Sequence, residues 1–281
     1  MKKNLYFLIC LTLVATLLAG TTVAFAGDDD KKKDDKTFKV YWKDGIRLDS
    51  GDKNFKMKIG GRIMSDWMWG TTEDGIEAAF GDIVAGNEFR RARLYVSGDI
   101  YKNITFKAQY DFAGGDVDMK DMYIGIKGMP FGTVKVGHFK AGFGMNELTS
   151  SKYITFMERA LPMAFVPSRD TGLAIVGAAG EKKKENVTWN FGIFTDADGY
   201  GEAPAHDNAF IFTGRLTFLP YFEGKDLVHL GAGVMYRDVP EGATYRFRQR
   251  AEAHLLPRYV ETPKFHAESF LAFNVEGAAV M

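Results

Sequence analysis

The sequence predicts an all-β protein: an antiparallel transmembrane β-barrel with a polar, basic interior. Three observations carry that prediction. First, residues 89–112 form two runs of alternating polarity around a short polar turn at 99–103. In the first run Ala92, Leu94, Val96 and Ile100 share one parity, and Arg91, Arg93, Ser97 and Asp99 share the other. In the second, Ile104, Phe106, Ala108, Tyr110 and Phe112 oppose Thr105, Lys107, Gln109 and Asp111. Side chains alternate between faces along a strand, so each run has one apolar and one charged face. Second, the pattern recurs down the chain. Third, it stands behind a secretory leader, which together with the alternation points to lipid outside and water inside.

The leader occupies residues 1–26. Lys2 and Lys3 precede an apolar stretch at 5–18, and Ala24-Phe25-Ala26 has the small-residue form of a cleavage site. The single cysteine, Cys10, lies within it, so the mature chain is expected to hold no disulfide and no thiolate chemistry. Lys plus Arg and Asp plus Glu number 36 each, and this balance argues against a nucleic-acid partner. After the leader no apolar run approaches the roughly 20 residues of a membrane helix. The 14% aromatic content and 31 glycines suit the aromatic girdles and tight turns of a barrel.

Residues 27–36, GDDDKKKDDK, read as a charged disordered linker. Residues 37–54 hold a hairpin signal around Lys43-Asp44-Gly45, expected as a small periplasmic element. From 55 to 281 the pattern predicts a partial barrel of about ten strands. The first is 55–69, with Phe55, Met57, Ile59, Ile63 and Trp67 opposing Lys56, Lys58, Arg62 and Asp66. Strands follow near 89–98, 104–112, 121–127, 133–139, 171–179, 187–195, 209–219, 227–237 and 266–275. Long and short connections alternate between them, with 113–117 short on the long side. Residues 140–168 lack period-two character over a length that is usually functional. Residues 239–264 read as a second long polar loop.

The segments KIGGR (58–62), FRRA (89–92), VGHF (136–139), LTSSK (148–152) with Glu158-Arg159, and VHLG (228–231) with Tyr236-Arg237-Asp238 resemble, in order and spacing, the phosphate-selective porin O/P family. The resemblance covers about residues 38–238. It implies a 16-stranded barrel in an outer membrane, a long loop at 140–168 folded into the lumen, a homotrimer, and passive diffusion of small anions, phosphate or polyphosphate among them. A 16-stranded barrel exceeds this length, and residues 277–281 lack the aromatic end expected of such barrels, so the chain reads as a C-terminally truncated member. By resemblance Arg62, Arg90, Arg91, Arg215 and Arg237 fall on a basic anion path, and Lys120, Glu147 and Lys152 on its constriction. Guanidinium suits oxyanions because it stays charged and presents planar, forked donors.

Three positions depart from the family pattern. Glu147 stands where it has a lysine, Lys120 where it has an acid, and Ala209 where it has an arginine. The first two read either as a compensating exchange, in which they face each other as an ion pair, or as the mark of a pore without a preference for phosphate. Structural bracing by Asp66, Asp99 and Asp111 is the plainer role for each lumen arginine. Glu158-Arg159 reads as a brace for the long loop. No cofactor is expected: the histidines at 138, 206, 229, 254 and 266 lack metal-ligand spacing. Two other functions stay open: a non-conducting structural or adhesive barrel, and an outer-membrane barrel enzyme. No G-x-S-x-G elbow is present for the last.

Overall fold

The computed structural model describes residues 37–83, 85–181, 184–202 and 209–281. The leader, the linker, Cys10, His206 and the centre of the 181–184 turn lie outside the described residues. The described chain forms one antiparallel sheet of twelve strands in the order β1-β2-β3-β4-β5-β6-β7-β8-β9-β10-β11-β16. These are β1 (Phe38–Trp42), β2 (Ile46–Ser50), β3 (Phe55–Trp69), β4 (Ala85–Ile100), β5 (Ile104–Asp111), β6 (Asp118–Met129), β7 (Gly132–Lys140), β8 (Arg169–Glu181), β9 (Lys184–Thr195), β10 (Phe210–Glu223), β11 (Asp226–Asp238) and β16 (Ser269–Val280). Each strand is hydrogen-bonded to its sequence neighbour, apart from the step from β11 to β16. The sheet is open, with β1 and β16 at its edges.

All ten strands expected from residue 55 onward are present; β3 (Phe55–Trp69) keeps its expected bounds, β5 (Ile104–Asp111) stops one residue short, and the others are longer than their alternating stretches. The last begins at Ser269 rather than 266, because Phe265–His266 belongs to a short strand of the preceding loop. The hairpin at the amino end is a correction to its expected separateness. Its second strand pairs with β3 from Ile46↔Ile59 to Asp49↔Lys56, so it continues the large sheet.

The two faces separate as the parity requires. On β10, Phe210, Phe212, Leu216 and Phe218 are exposed, while Ile211, Thr213 and Thr217 are buried on the other face. On β3, Ile63 is 76% exposed and Trp67 and Trp69 stand out on the same side, with Arg62 on the inner one. On β16, Leu271, Phe273 and Val275 point out and Asn274 and Glu276 point in. An exposed apolar face of this extent is unsuited to water and suited to lipid.

Among the described residues five register shifts interrupt the ladders, and two of them bear on the charged inner face. Along β3–β4 the pairing steps from Met64↔Arg91 to Ser65↔Phe89, which makes Arg90 an extra residue in β4. Along β5–β6 it steps from Ala108↔Met122 to Tyr110↔Met119, which gives β6 an extra residue near Lys120 and Asp121. A bulge of this kind re-aims one side chain and lets two consecutive residues share a face. Arg90 with Arg91, and Lys120 with Asp121, both point inward for this reason.

The connection 70–84 carries α1 (Asp74–Phe80). The connection 141–168 carries α2 (Met145–Leu148) and a 3-10 turn at Leu161–Phe165. Its base is pinched by a hydrogen bond from Ala141 N to Ser168 O (3.2 Å). The last long connection, 239–268, holds two ribbons: β12 (Thr244–Tyr245) with β15 (Phe265–His266), and β13 (Arg248–Gln249) with β14 (Val260–Glu261). The buried apolar cluster is small: Phe139, Ala141, Phe143, Ala174, Phe194, Ile211 and Met235. It lies on the inner face of β7–β11 and seats the start of the 141–168 loop there.

If the outer face meets lipid, Leu216→Arg places a charge among acyl chains near the middle of β10. The expected cost is about 2–4 kcal/mol, read as a lower urea midpoint for folding into lipid vesicles. An unchanged midpoint would show that this face is not in lipid.

Candidate functional site: a basic lumen crossed by two loops

A cavity of about 930 Å³ is lined by the inner face of β2–β8 and by the 141–168 loop. Thirteen Lys and Arg side chains line it against five Asp and Glu, although the whole chain is charge-balanced. The positive charge is therefore placed, not merely present.

Most of these cations are braced. Arg90 forms a two-pronged pair with Glu158 of the loop, Nε to Oε1 at 2.5 Å and Nη2 to Oε2 at 3.1 Å. Arg93 Nε donates to Asp111 Oδ2 at 2.6 Å, and Arg169 Nε to Asp121 Oδ1 at 2.8 Å. Lys107 also donates to Asp121. Lys120 pairs with Asp118 at 2.9 Å. Glu147, only 6% exposed, sits between Lys140 (3.2 Å) and Arg159 (3.7 Å).

Arg62 and Arg91 differ. Among the described residues neither has a carboxylate within ion-pair distance. Arg62 Nη1 donates to Ser150 Oγ of the loop at 3.3 Å, and its Nε is buried without a hydrogen-bond partner. Arg91 is 3% exposed and its Nη1 lies 3.8 Å from Met64 Sδ. The Ser151 hydroxyl, next to Ser150, is buried and also lacks a partner. Arg62 thus meets Ser150 where the loop reaches β3, and Arg91 and Ser151 line the same cavity. A buried charge without a fixed partner is costly unless something neutralises it. Lys152 lines the same cavity from the loop and is exposed.

The sequence-predicted residues therefore divide. Arg62, Arg90, Arg91, Lys120, Glu147 and Lys152 are brought to one cavity. Arg215 is held by Glu276 through two hydrogen bonds of 2.9 and 2.6 Å, with Asn274 and His229 on the same carboxylate. Arg237 pairs with Asp196 and stacks against Tyr245, at the edge of a separate cavity of about 650 Å³ that Ala209 also lines. The expected Glu147–Lys120 pair is not formed, since each is taken by other partners on its own side. Asp111 and Asp99 brace Arg93 and Lys127, and Asp66 pairs with none of the lumen arginines.

Sequence reading marked 239–264 as a second long polar loop but not the course it takes. It crosses to the far side of the sheet: His254 Nδ1 lies 2.9 Å from Glu88 Oε2 of β4, and Gln249 Nε2 donates to Arg159 O at 3.4 Å. Phe247 packs on Phe165 with ring centroids 4.7 Å apart, and Tyr259 on Phe80 at 5.0 Å. Arg246, Arg248, Arg250 and Arg258 of this loop lie within electrostatic reach of one another. The repeat R-x-R-x-R at 246–250 was the available signal.

An antiparallel wall, apolar outside and cationic inside, with a long loop folded across its interior, is the construction of a pore-forming β-barrel protein. The family model of phosphate-selective porin O and P matches residues 58–281, and the chain belongs to that family. Porin O of Pseudomonas aeruginosa is 26% identical over 239 residues, covering 82% of this chain and 52% of Porin O. The chain spans about half the length of that relative.

The Arg90–Glu158 clasp has a definite pH dependence. Burial alone would raise the Glu158 carboxyl, but the Arg90 hydrogen bonds and the charges of Arg90 and Arg91 outweigh it and hold it below its ordinary value of 4.5. A lowered folded-state value means the clasp contributes fully above the unfolded value and is lost as pH falls through the folded one. The hydrogen-exchange protection of residues 150–160, taken relative to the intrinsic rate at each pH, should hold through neutral pH and fall only below the ordinary carboxyl value of 4.5. Glu158→Gln should lack that protection at every pH; a protein whose loop loosens already near pH 6 does not depend on this clasp.

Proposed function

We propose that this chain builds the wall and constriction of an outer-membrane pore that passes small anions by passive diffusion, phosphate among them. The single observation that carries the reading is the surplus of cations in the lumen, with Arg62 and Arg91, among the described residues, left without an ion pair in the cavity that Ser150 and Ser151 also line. Braced cations hold the wall and the loop in place. Unpaired ones are left to meet an ion.

The chemistry follows from the groups. An anion entering the narrow section loses water and needs donors that replace it. Arg62 and Arg91 supply delocalised positive charge with forked N–H donors, and the serine hydroxyls supply neutral ones. A tetrahedral oxyanion can engage several at once, whereas chloride engages them less directionally. Arg246, Arg248 and Arg250 on the crossing loop raise the local anion concentration outside the narrow section. The secretory leader, the apolar outer face and the family together support an outer-membrane location with lipid around the wall. The family resemblance supports a homotrimer. No step here makes or breaks a covalent bond, which fits a channel and not an enzyme; a plugged structural barrel is the second reading, kept because two loops already occupy the interior.

In planar bilayers with a salt gradient, the double change Arg62→Gln with Arg91→Gln should move the reversal potential toward cations and weaken phosphate block of chloride current at least tenfold, about the effect of one lost charge-assisted contact. An unmoved potential would mean that both are wall braces, and an absence of current steps in the parent would favour the plugged barrel.

Neutralising Arg246, Arg248 and Arg250 to Gln should lower anion conductance several-fold at about 0.01 M salt and hardly at all at 1 M, where the Debye length shrinks from about 30 to 3 Å. A loss that persists at high salt would instead place these side chains in the permeation path itself.

A further inference from the structure

Glu147 is a carboxylate inside a cavity otherwise arranged for anions, and the reading above gives it no task. Its carboxylate contacts come from the cavity's own lining. Lys140 Nζ is 3.2 Å from Oε1, Arg159 Nε is 3.7 Å from Oε2, and Ser168 Oγ donates to Oε1 at 3.5 Å. Lys140 also donates to the carbonyl of Glu147 itself. Arg159 does not need Glu147 to be held, since it donates to Asn146 O and to Thr149 O, both at 2.8 Å. The loop, in turn, is tied to the wall by Arg90–Glu158 and Arg62–Ser150. Holding the loop is thus achieved by other groups. What Glu147 alone does is place one negative charge three residues before Ser150, beside two cations that would otherwise add to Arg62 and Arg91.

We propose that Glu147 sets the depth of the anion well, acting as a fixed counter-charge that neutralises part of Lys140 and Arg159 so that small anions are held weakly enough to leave. The proposal rests on the anion-path reading of the cavity. Conduction needs binding strong enough to admit an ion and weak enough to release it, and four cations around one narrow section would favour retention. A buried carboxylate within contact distance of two of them lowers the field at the site, while its own burial is compensated by those same cations.

The test is phosphate block of chloride current through the protein in planar bilayers. Glu147→Gln keeps the size and the acceptor oxygen but removes the charge. It should tighten block about tenfold, as one unit of charge near an ion is expected to do in a partly dehydrated space. It should also lengthen single blocking events and move the reversal potential further toward anions. Glu147→Asp, which keeps the charge, should stay within about twofold of the parent. The combined change Glu147→Gln with Lys140→Gln removes the pair as a neutral unit and should also stay near the parent; it guards against a single variant that fails to insert. If Glu147 only braces the loop, Glu147→Gln loosens it and block weakens, so the sign decides. A blocked parent with block unchanged or weakened in Glu147→Gln, or a double variant that loses block, overturns this proposal alone. A parent indifferent to phosphate overturns the anion-path reading, and this inference with it.

Discussion

The structure depends on one constraint: the backbone N–H and C=O groups of each wall segment find their partners across strands, the arrangement that a wall facing lipid would need. That requirement makes each wall segment a strand and each neighbour antiparallel, as the consecutive pairing from β1 to β11 shows. Once the ladder is set, the two-residue period of the pleat divides the side chains between two solvents. The apolar outer face, with Ile63, Leu216 and Phe273, and the charged inner face, with Arg62, Arg93 and Asp121, are two consequences of one geometry.

The same ladder explains why the departures from it matter. Strict alternation cannot put two neighbouring side chains on one face. The bulges at Arg90 and near Lys120 do so, and they add charges to the lumen at the level where the long loop arrives. Bulged strands also twist more strongly. The charged lining gains these residues where regular pairing is locally relaxed, between regularly paired strands.

Charge in the lumen is sorted by what each cation touches. Carboxylates from the wall hold Arg93, Arg169 and Lys107, and a carboxylate from the loop holds Arg90. Such pairs are worth modest energy at a wet surface, yet they fix direction, and an arginine locked in a fork is a poor ligand for a passing ion. Arg62 and Arg91 are left over by this sorting. The apolar cluster of Phe139, Phe143, Phe194 and Ile211 acts on the opposite side by anchoring the base of the loop, so the loop reaches across the lumen from a fixed point. The crossing loop, tied by Phe247 to Phe165 and by His254 to Glu88, closes over both.

The sequence alone determined the class, the ten strands from residue 55 onward, their outer and inner faces, and the presence of a long non-alternating segment, because hydrophobic alternation is written into neighbouring residues and needs no distant partner. It also placed Arg62 and Arg91 on the inner parity. The tertiary structure decided the rest. Arg90 faces inward only because a partner strand opposes it with one residue fewer, and parity counting along a single strand cannot see that slip. Glu147 meets Lys140 and Arg159 rather than Lys120, since side chains on a loop pair with whatever the fold brings near. The roles of Arg215 as a brace and of Arg62 as an unpaired cation turn on contacts 61 and 88 residues away in the chain, Glu276 and Ser150. Which cations are neutralised is a property of those long-range contacts, and local sequence carries no record of them.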